Sequence, residues 1–291
     1  MRSQTAVDKW LSRKTGRLSS ADAIDFIVEQ NLGPNLQRVP VDPVYLAECF
    51  GCSVRFESVP AACVEITKRE RVIRIPLTES VFKQRFSIAH ELAHLFFIAE
   101  DAAGIRPAFL DDHGNSDLGT EHRTKERLET LCDAIARQIL VPTAKLAEQA
   151  SGRFSVNLEL LFQFAKEFEV PPDVVFVRLV ETKLVPRYPG CILLHFGPNR
   201  FTGRDDKWRV AARVMPRSIP PDLFWPNRGT GLEIIGISIP APHQLETTAA
   251  PLSYNFKVQS QHWQLTVQTC RSEPHWALGC ATLIADGEAF L

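Results

Sequence analysis

Apolar residues recur at helical spacing in some stretches of this chain and at alternate or consecutive positions in others, and the two periods divide it into parts. Ser19 and Asp22 cap a helix whose Ile24, Ile27 and Val28 form one buried stripe, and Gly33-Pro34 ends it. Asp42 followed by Pro43 starts a second, short helix through Phe50. Three runs rich in β-branched and apolar residues, 53–59, 63–67 and 71–76, predict a small antiparallel sheet. Residues 85–97 are apolar nearly all round and read as one buried helix, with 71–76 as an edge strand beside it. From 100 to 124 the chain turns polar and rich in Asp and Gly, the composition of a long surface loop. Helical periodicity resumes at Leu128, Leu131, Cys132, Ile135 and Ile139, and Pro142 stops it.

Three short helices are expected over 143–152, 156–168 and 172–181, and Pro186 and Pro189 mark a boundary. Beyond it lie strand-like runs at 192–196, 208–215, 232–239, 255–258, 263–270 and 277–284. The fold class is therefore α+β in three parts. Residues 1–142 carry the small sheet and the apolar helix, 143–187 form a helical, helix-turn-helix-like subdomain, and 188–291 form a separate β-rich C-terminal domain.

Composition narrows the possible functions. The 33 basic and 34 acidic residues leave a net charge of -1, which gives no overall field to hold the chain on DNA or an anionic membrane. In the helical subdomain, Lys145, Arg153, Lys166 and Arg178 are outnumbered by acidic residues, so direct DNA binding is disfavoured there too. The N-terminus is polar and no stretch of about 18 apolar residues occurs, so a cytoplasmic protein without a membrane segment is expected. Seven scattered cysteines do not form a disulfide framework, and the Cys49-x-x-Cys52 pair lacks the partners of a zinc finger and reads as a packed helix end.

Inside the apolar helix, His90, Glu91 and His94 form a His-Glu-x-x-His run. At 3.6 residues per turn, imidazoles four apart lie on one face and can reach a single tetrahedral zinc ion, while Glu91 can take a proton from the water in the open position. Average residue usage yields this pattern in roughly 1% of chains of this length, and an apolar helix does not carry two His and a Glu inward unless something pairs with them. These residues predict a zinc hydrolase of peptide bonds.

A third ligand is needed. Glu100 would serve in an extended motif with a tight turn at position 97, but Phe97 stands where that turn favours glycine. The stronger candidate is Glu129 on the helix that follows, with Glu126 and Glu121 as alternatives. Asp133, one turn beyond Glu129 on the same face, can accept the outer ring N–H of a ligating His. A second oxyanion donor stays open among His113, His122, Arg123 and Tyr188.

The run Arg85-Phe-Ser-Ile-Ala-His-Glu-Leu-Ala-His, followed by Glu129-x-x-Cys-Asp-x-x-Ala-x-x-Ile-Leu-Val-Pro142, resembles the ImmA/IrrE-type metallopeptidases. Over residues 20 to 180 the resemblance implies a gluzincin-like fold, zinc on His90, His94 and Glu129, and Glu91 as base. It further implies a cytoplasmic stress-response enzyme that cuts a helix-turn-helix repressor and relieves repression. Ala93 replaces the family's Gly, Asp133 replaces its Asn, and the segment before Glu129 is long. The competing class is a DNA-binding or sensor module with a vestigial metal site. Trp208, Phe224, Trp225, Trp263 and Trp276 could line a ligand pocket in the C-terminal domain, although aromatics so placed are more often core.

Overall fold

The three apolar runs after residue 50 become β1 (Cys52–Glu57), β2 (Cys63–Ile66) and β3 (Arg71–Pro76) of one sheet. The computed structural model describes residues 5–16, 20–67, 69–101, 104–109, 118–150, 158–182, 190–197, 207–214, 252–258, 261–269 and 276–284. β2 and β3 form a hairpin closed by the Thr67 N–H on the Glu70 carbonyl at 2.9 Å. β1 joins the far side of β3 in parallel register, giving the order β1-β3-β2. Two expectations are corrected by this topology: the sheet is mixed rather than antiparallel, and β3 is its central strand rather than an edge. The cause is composition. β3 buries Val72, Ile73 and Ile75, using both faces, whereas β1 and β2 carry Arg55, Glu57 and Glu65 and are partly exposed. Arg74, in the centre, reaches Glu57 on one neighbour and Glu65 on the other.

Helices cover this sheet. α3 (Pro43–Cys49) is capped by Asp42, whose Oδ1 accepts the N–H groups of Val44 and Tyr45. α4 (Val81–Leu95) starts at Ser80, which accepts the Lys83 N–H, and packs on β3 and β2. α5 (Leu118–Leu140) lies along α4. Ile88, Ala89, Leu92 and Ala93 of α4 and Cys132, Ile135 and Ala136 of α5 are all buried, and the small residues among them permit a close approach. α2 (Ser20–Leu32) matches the first expected helix, with Ile27 and Val28 buried.

Two stretches depart from the sequence reading. α1 (Ala6–Thr15) was not anticipated in the polar N-terminus, yet it has a capping box between Thr5 and Asp8 and a left-handed Gly16 at its end. Arg127 of α5 ties it down through a 2.8 Å contact with Asp8. Within the expected surface loop, β4 (Ile98–Asp101) and β5 (Gly104–Pro107) form an antiparallel pair, and α5 begins at Leu118.

α6 (Thr143–Ala150), α7 (Leu158–Phe168) and α8 (Pro172–Glu181) agree closely with the three expected helices. The chain divides into one unit of residues 1–149 and 165–171 and a second of residues 150–164 and 172–291. The second contains a five-stranded antiparallel sheet of β6 (Gly190–Gly197), β7 (Lys207–Val214), β8 (Leu252–Val258), β9 (Gln261–Thr269) and β10 (Trp276–Ile284), ordered β7-β6-β10-β9-β8. α8 packs on β7. A bulge opposite Leu193 and Leu194 shifts the register there, and both leucines are buried. Trp208 is core, 5.4 Å from Phe196 ring to ring. The run 232–239, the prolines Pro186 and Pro189, and Phe224 and Trp225 lie outside the described residues, as do the side chains of Trp263 and Trp276. The fold class is α+β, and no helix among the described residues is long and apolar enough to cross a membrane.

Candidate metal centre

The helix that presents the His-Glu-x-x-His run is anchored at its first half by polar contacts. Arg85, 15% exposed, donates from Nε to the Glu169 carbonyl (3.0 Å) and from Nη2 to the Val41 carbonyl (2.6 Å), and it faces the Glu169 carboxylate at 3.3 Å. Ser87 donates to Glu79 Oε2 at 2.7 Å. Arg85 thus holds α4 against the segments at Val41 and Glu169, which gives the residue five positions before His90 a structural purpose.

From that frame, His90 and His94 project from one face of α4 with side chains 16% and 19% exposed. Their Nε2 atoms are 3.2 Å apart. Glu129 on α5 brings Oε2 to 3.2 Å from His90 Nε2 and 3.7 Å from His94 Nε2. Asp133 Oδ1 lies 2.9 Å from His90 Nδ1. The sequence-predicted residues His90, His94, Glu129 and Asp133 are therefore brought together. Glu91, buried at 8% exposure, sits at the same place: a ligand atom from each of His90, Glu91 and His94 lies within 4.8 Å of the others.

Electrostatics follow from this crowding. Burial works against a charged His90, but the hydrogen bond to Asp133 and the charges of Asp133, Glu91 and Glu129 overcome it and raise the imidazole's pKa. His94 moves the other way, lowered first by burial and then by a charged His90. Glu91 is raised by burial and by Glu129, against the opposing pull of His90 and of the nearby Val64 main chain. Burial would raise Asp133, yet its bond with His90 and the charges of His90, Arg137 and Lys83 hold it below the usual carboxylate value.

The donor set fits a divalent cation. With Asp133 accepting at Nδ1, the neutral tautomer of His90 carries its lone pair on Nε2, pointed among a carboxylate oxygen and a second imidazole nitrogen. Lone pairs that close repel unless a proton or a metal ion lies between them. Ligands about 2.0–2.1 Å from a tetrahedral zinc stand about 3.3 Å from one another, and the separations of 3.2, 3.2 and 3.7 Å cluster around that value. Two nearby thiols are poor competitors: burial pushes Cys63 up, and Cys132, fully buried, is pushed up further by burial and the surrounding carboxylates.

The other candidates separate. Glu126 points to solvent beside His122, whose side chain is 82% exposed and 3.5 Å away. The side chains of Glu100 and Glu121, and all of His113 and Tyr188, lie outside the described residues.

Comparison with known proteins gives three findings. Residues 47–180 match the peptidase family described as IrrE N-terminal-like domain. The chain is 32% identical over 104 residues to the radiation response metalloprotease IrrE of Deinococcus radiodurans, an alignment covering 36% of this chain and 29% of that protein's length. A solved Mycobacterium tuberculosis transcriptional regulator is similar over 99% of both chains, with 14% identity and a TM-score of 0.46.

Proposed function

We propose, from the premise that this chain belongs with the ImmA/IrrE-type metallopeptidases through its IrrE N-terminal-like domain, that it is a zinc-dependent endopeptidase acting on a protein partner. The observation that carries the reading is the convergence of two imidazole Nε2 atoms and one carboxylate oxygen at 3.2 to 3.7 Å, with Asp133 behind His90. The fold proposed for this part is zincin-like, the ligands His90, His94 and Glu129, and the base Glu91. A zinc ion bound there supplies Lewis acidity toward water and a peptide carbonyl.

The chain's own residues do the remainder. His90 and His94 would hold the ion through Nε2, and Asp133 fixes the His90 tautomer so that the lone pair faces inward. Glu129 neutralises charge and closes the set from α5. Glu91 accepts a proton from the attacking water and returns it to the leaving amine, a role suited to a carboxylate whose pKa burial raises. β2, at the sheet's edge beside Glu91, is the strand on which an extended substrate segment would pair. This replaces the expectation that β3 serves that purpose.

The partner proposed is a helix-turn-helix repressor whose cleavage relieves repression. The family resemblance supports it, and the net charge of -1 suits a protein partner better than DNA. The test is incubation of the zinc-loaded chain with the repressor encoded beside its gene, with and without a chelator. Cleavage at one site, abolished by the chelator, is expected; an intact repressor alongside degradation of an unrelated unfolded protein at many sites would overturn the choice of partner.

A further inference from the structure

The face of α4 that presents His90 and His94 also carries a cation and an aromatic ring. At about 100° per residue, Lys83 stands about 20° from His90 around the helix axis, with Phe86 and His94 about 40° to either side. The contacts follow that register. The Lys83 Nζ lies over the Phe86 ring, 5.2 Å from its centre, Phe86 is 6.5 Å from His90 ring to ring, and His90 is 5.0 Å from His94. The four side chains form one row, from an exposed lysine through a half-buried ring to the two imidazoles.

A structural purpose does not account for this lysine. Lys83 sits in the first turn of α4, where its N–H meets the Ser80 cap and where the helix dipole disfavours a positive side chain. Among the described residues no carboxylate forms an ion pair with it. The Phe86 ring holds the ammonium group in place, and its N–H donors stay available to an incoming acceptor.

We infer that Lys83 is a specificity-determining residue of the proposed endopeptidase, binding an Asp or Glu side chain of the substrate to one side of the scissile bond. Lengths set the position. The helix rises about 10 Å between Lys83 and His90, and the ammonium group over Phe86 stands somewhat nearer. For a segment running along α4 at about 3.3 Å per residue, that places the acidic side chain about two or three residues from the bond cut. A segment paired on β2, the edge strand on which α4 packs, is held beside the helix that carries the row. The inference rests on the endopeptidase reading and adds the class of substrate. The attraction is local, because a net charge of -1 gives the chain as a whole no pull on acidic partners.

The kinetic test pairs short peptides bearing one Asp or Glu with twins bearing Asn or Gln at the same place, digests the pooled set with the zinc-loaded chain, and reads the cuts by mass spectrometry. The wild type should cut the acidic twin with a kcat/KM about fivefold higher, the upper range for a solvent-exposed ion pair, and the preference should fade at high salt. Lys83→Ala should treat the twins alike, and Lys83→Arg should keep the preference. Lys145→Ala, which removes a positive charge from α6, should also keep it. Zinc content and thermal unfolding show that each variant is folded. Equal rates for the twins in the wild type, or a preference that survives in folded Lys83→Ala, would overturn the inference.

Binding separates this inference from the reading beneath it. Fluorescence anisotropy of the labelled twins on zinc-loaded Glu91→Gln protein needs no turnover, and tighter binding of the acidic twin, lost when Lys83→Ala is added, is expected. If no peptide is cut while that difference holds, the endopeptidase reading fails and the Lys83 subsite stands. If the twins bind alike, the subsite falls, whatever is cut.

Discussion

Replacing Asp133 by alanine should weaken zinc binding without unfolding the chain. Asp133 Oδ1 is 2.9 Å from His90 Nδ1, and the imidazole between it and the proposed ligand position is 16% exposed, so solvent replaces the lost acceptor poorly. Without that acceptor, His90 is free to carry its proton on Nε2, the tautomer that cannot ligate, and the ring can turn about its side-chain bonds. A hydrogen bond to a charged group contributes about 1.5–3 kcal/mol. At about 1.4 kcal/mol per tenfold, that corresponds to a 10- to 100-fold loss of zinc affinity, the range found when such supporting carboxylates are removed elsewhere. The Asp133 side chain is itself partly exposed, so the cost to folding should be small. The assay is competition for zinc with a chromophoric chelator, accompanied by thermal unfolding of the metal-free proteins. Asp133→Asn, which keeps an acceptor oxygen, should lose less than Asp133→Ala. Unchanged zinc affinity in a folded Asp133→Ala protein would refute the tautomer argument.

Glu91→Gln should retain zinc and fold while losing about 10²- to 10⁴-fold in cleavage rate, since only proton transfer is removed; near-normal turnover would make Glu91 structural. Glu129→Ala should lose most bound zinc by elemental analysis, whereas Glu126→Ala, whose side chain points to solvent, should keep it. Arg85→Ala leaves two main-chain carbonyls and the Glu169 carboxylate without their donor, and denaturant titration should show a loss of about 2–4 kcal/mol. For Asp8, burial would raise the carboxyl, but the hydrogen bonds with Arg127 and Thr5 outweigh it and hold the pKa low. Stability from a depressed carboxyl is present above its unfolded value of about 3.9 and is lost as pH falls through the folded value. Asp8→Asn should therefore be less stable than wild type at neutral pH, by about 1 kcal/mol, and the melting temperatures should converge below about pH 4.

The grouping of the candidate site's side chains could be read because its determinants are spacings. His90 and His94 are four positions apart, as are Glu129 and Asp133, and a helix turns each spacing into a shared face. The close packing of α4 on α5 has its determinants in the small buried residues Ala89, Ala93, Cys132 and Ala136. Strand order could not be read. The three runs look alike by propensity, and only the denser apolar character of Val72, Ile73 and Ile75 distinguishes the central strand from its neighbours. α1 escaped notice because Val7, Trp10 and Leu11 make a sparse stripe, although Thr5, Asp8 and Gly16 mark both of its ends. The first turns of α5 are polar on most sides, so hydrophobic periodicity begins well after the helix does.

X-ray absorption at the zinc edge, on protein loaded with one equivalent of zinc, tests the central claim most directly because it reads the ligand set itself. Two imidazoles and oxygen ligands only, all about 2.0–2.2 Å from the metal, with one imidazole lost in His94→Ala, is the expected spectrum. A sulfur scatterer at about 2.3 Å, bringing in Cys63 or Cys132, or a single imidazole in the wild type, would contradict the site built from His90, His94 and Glu129.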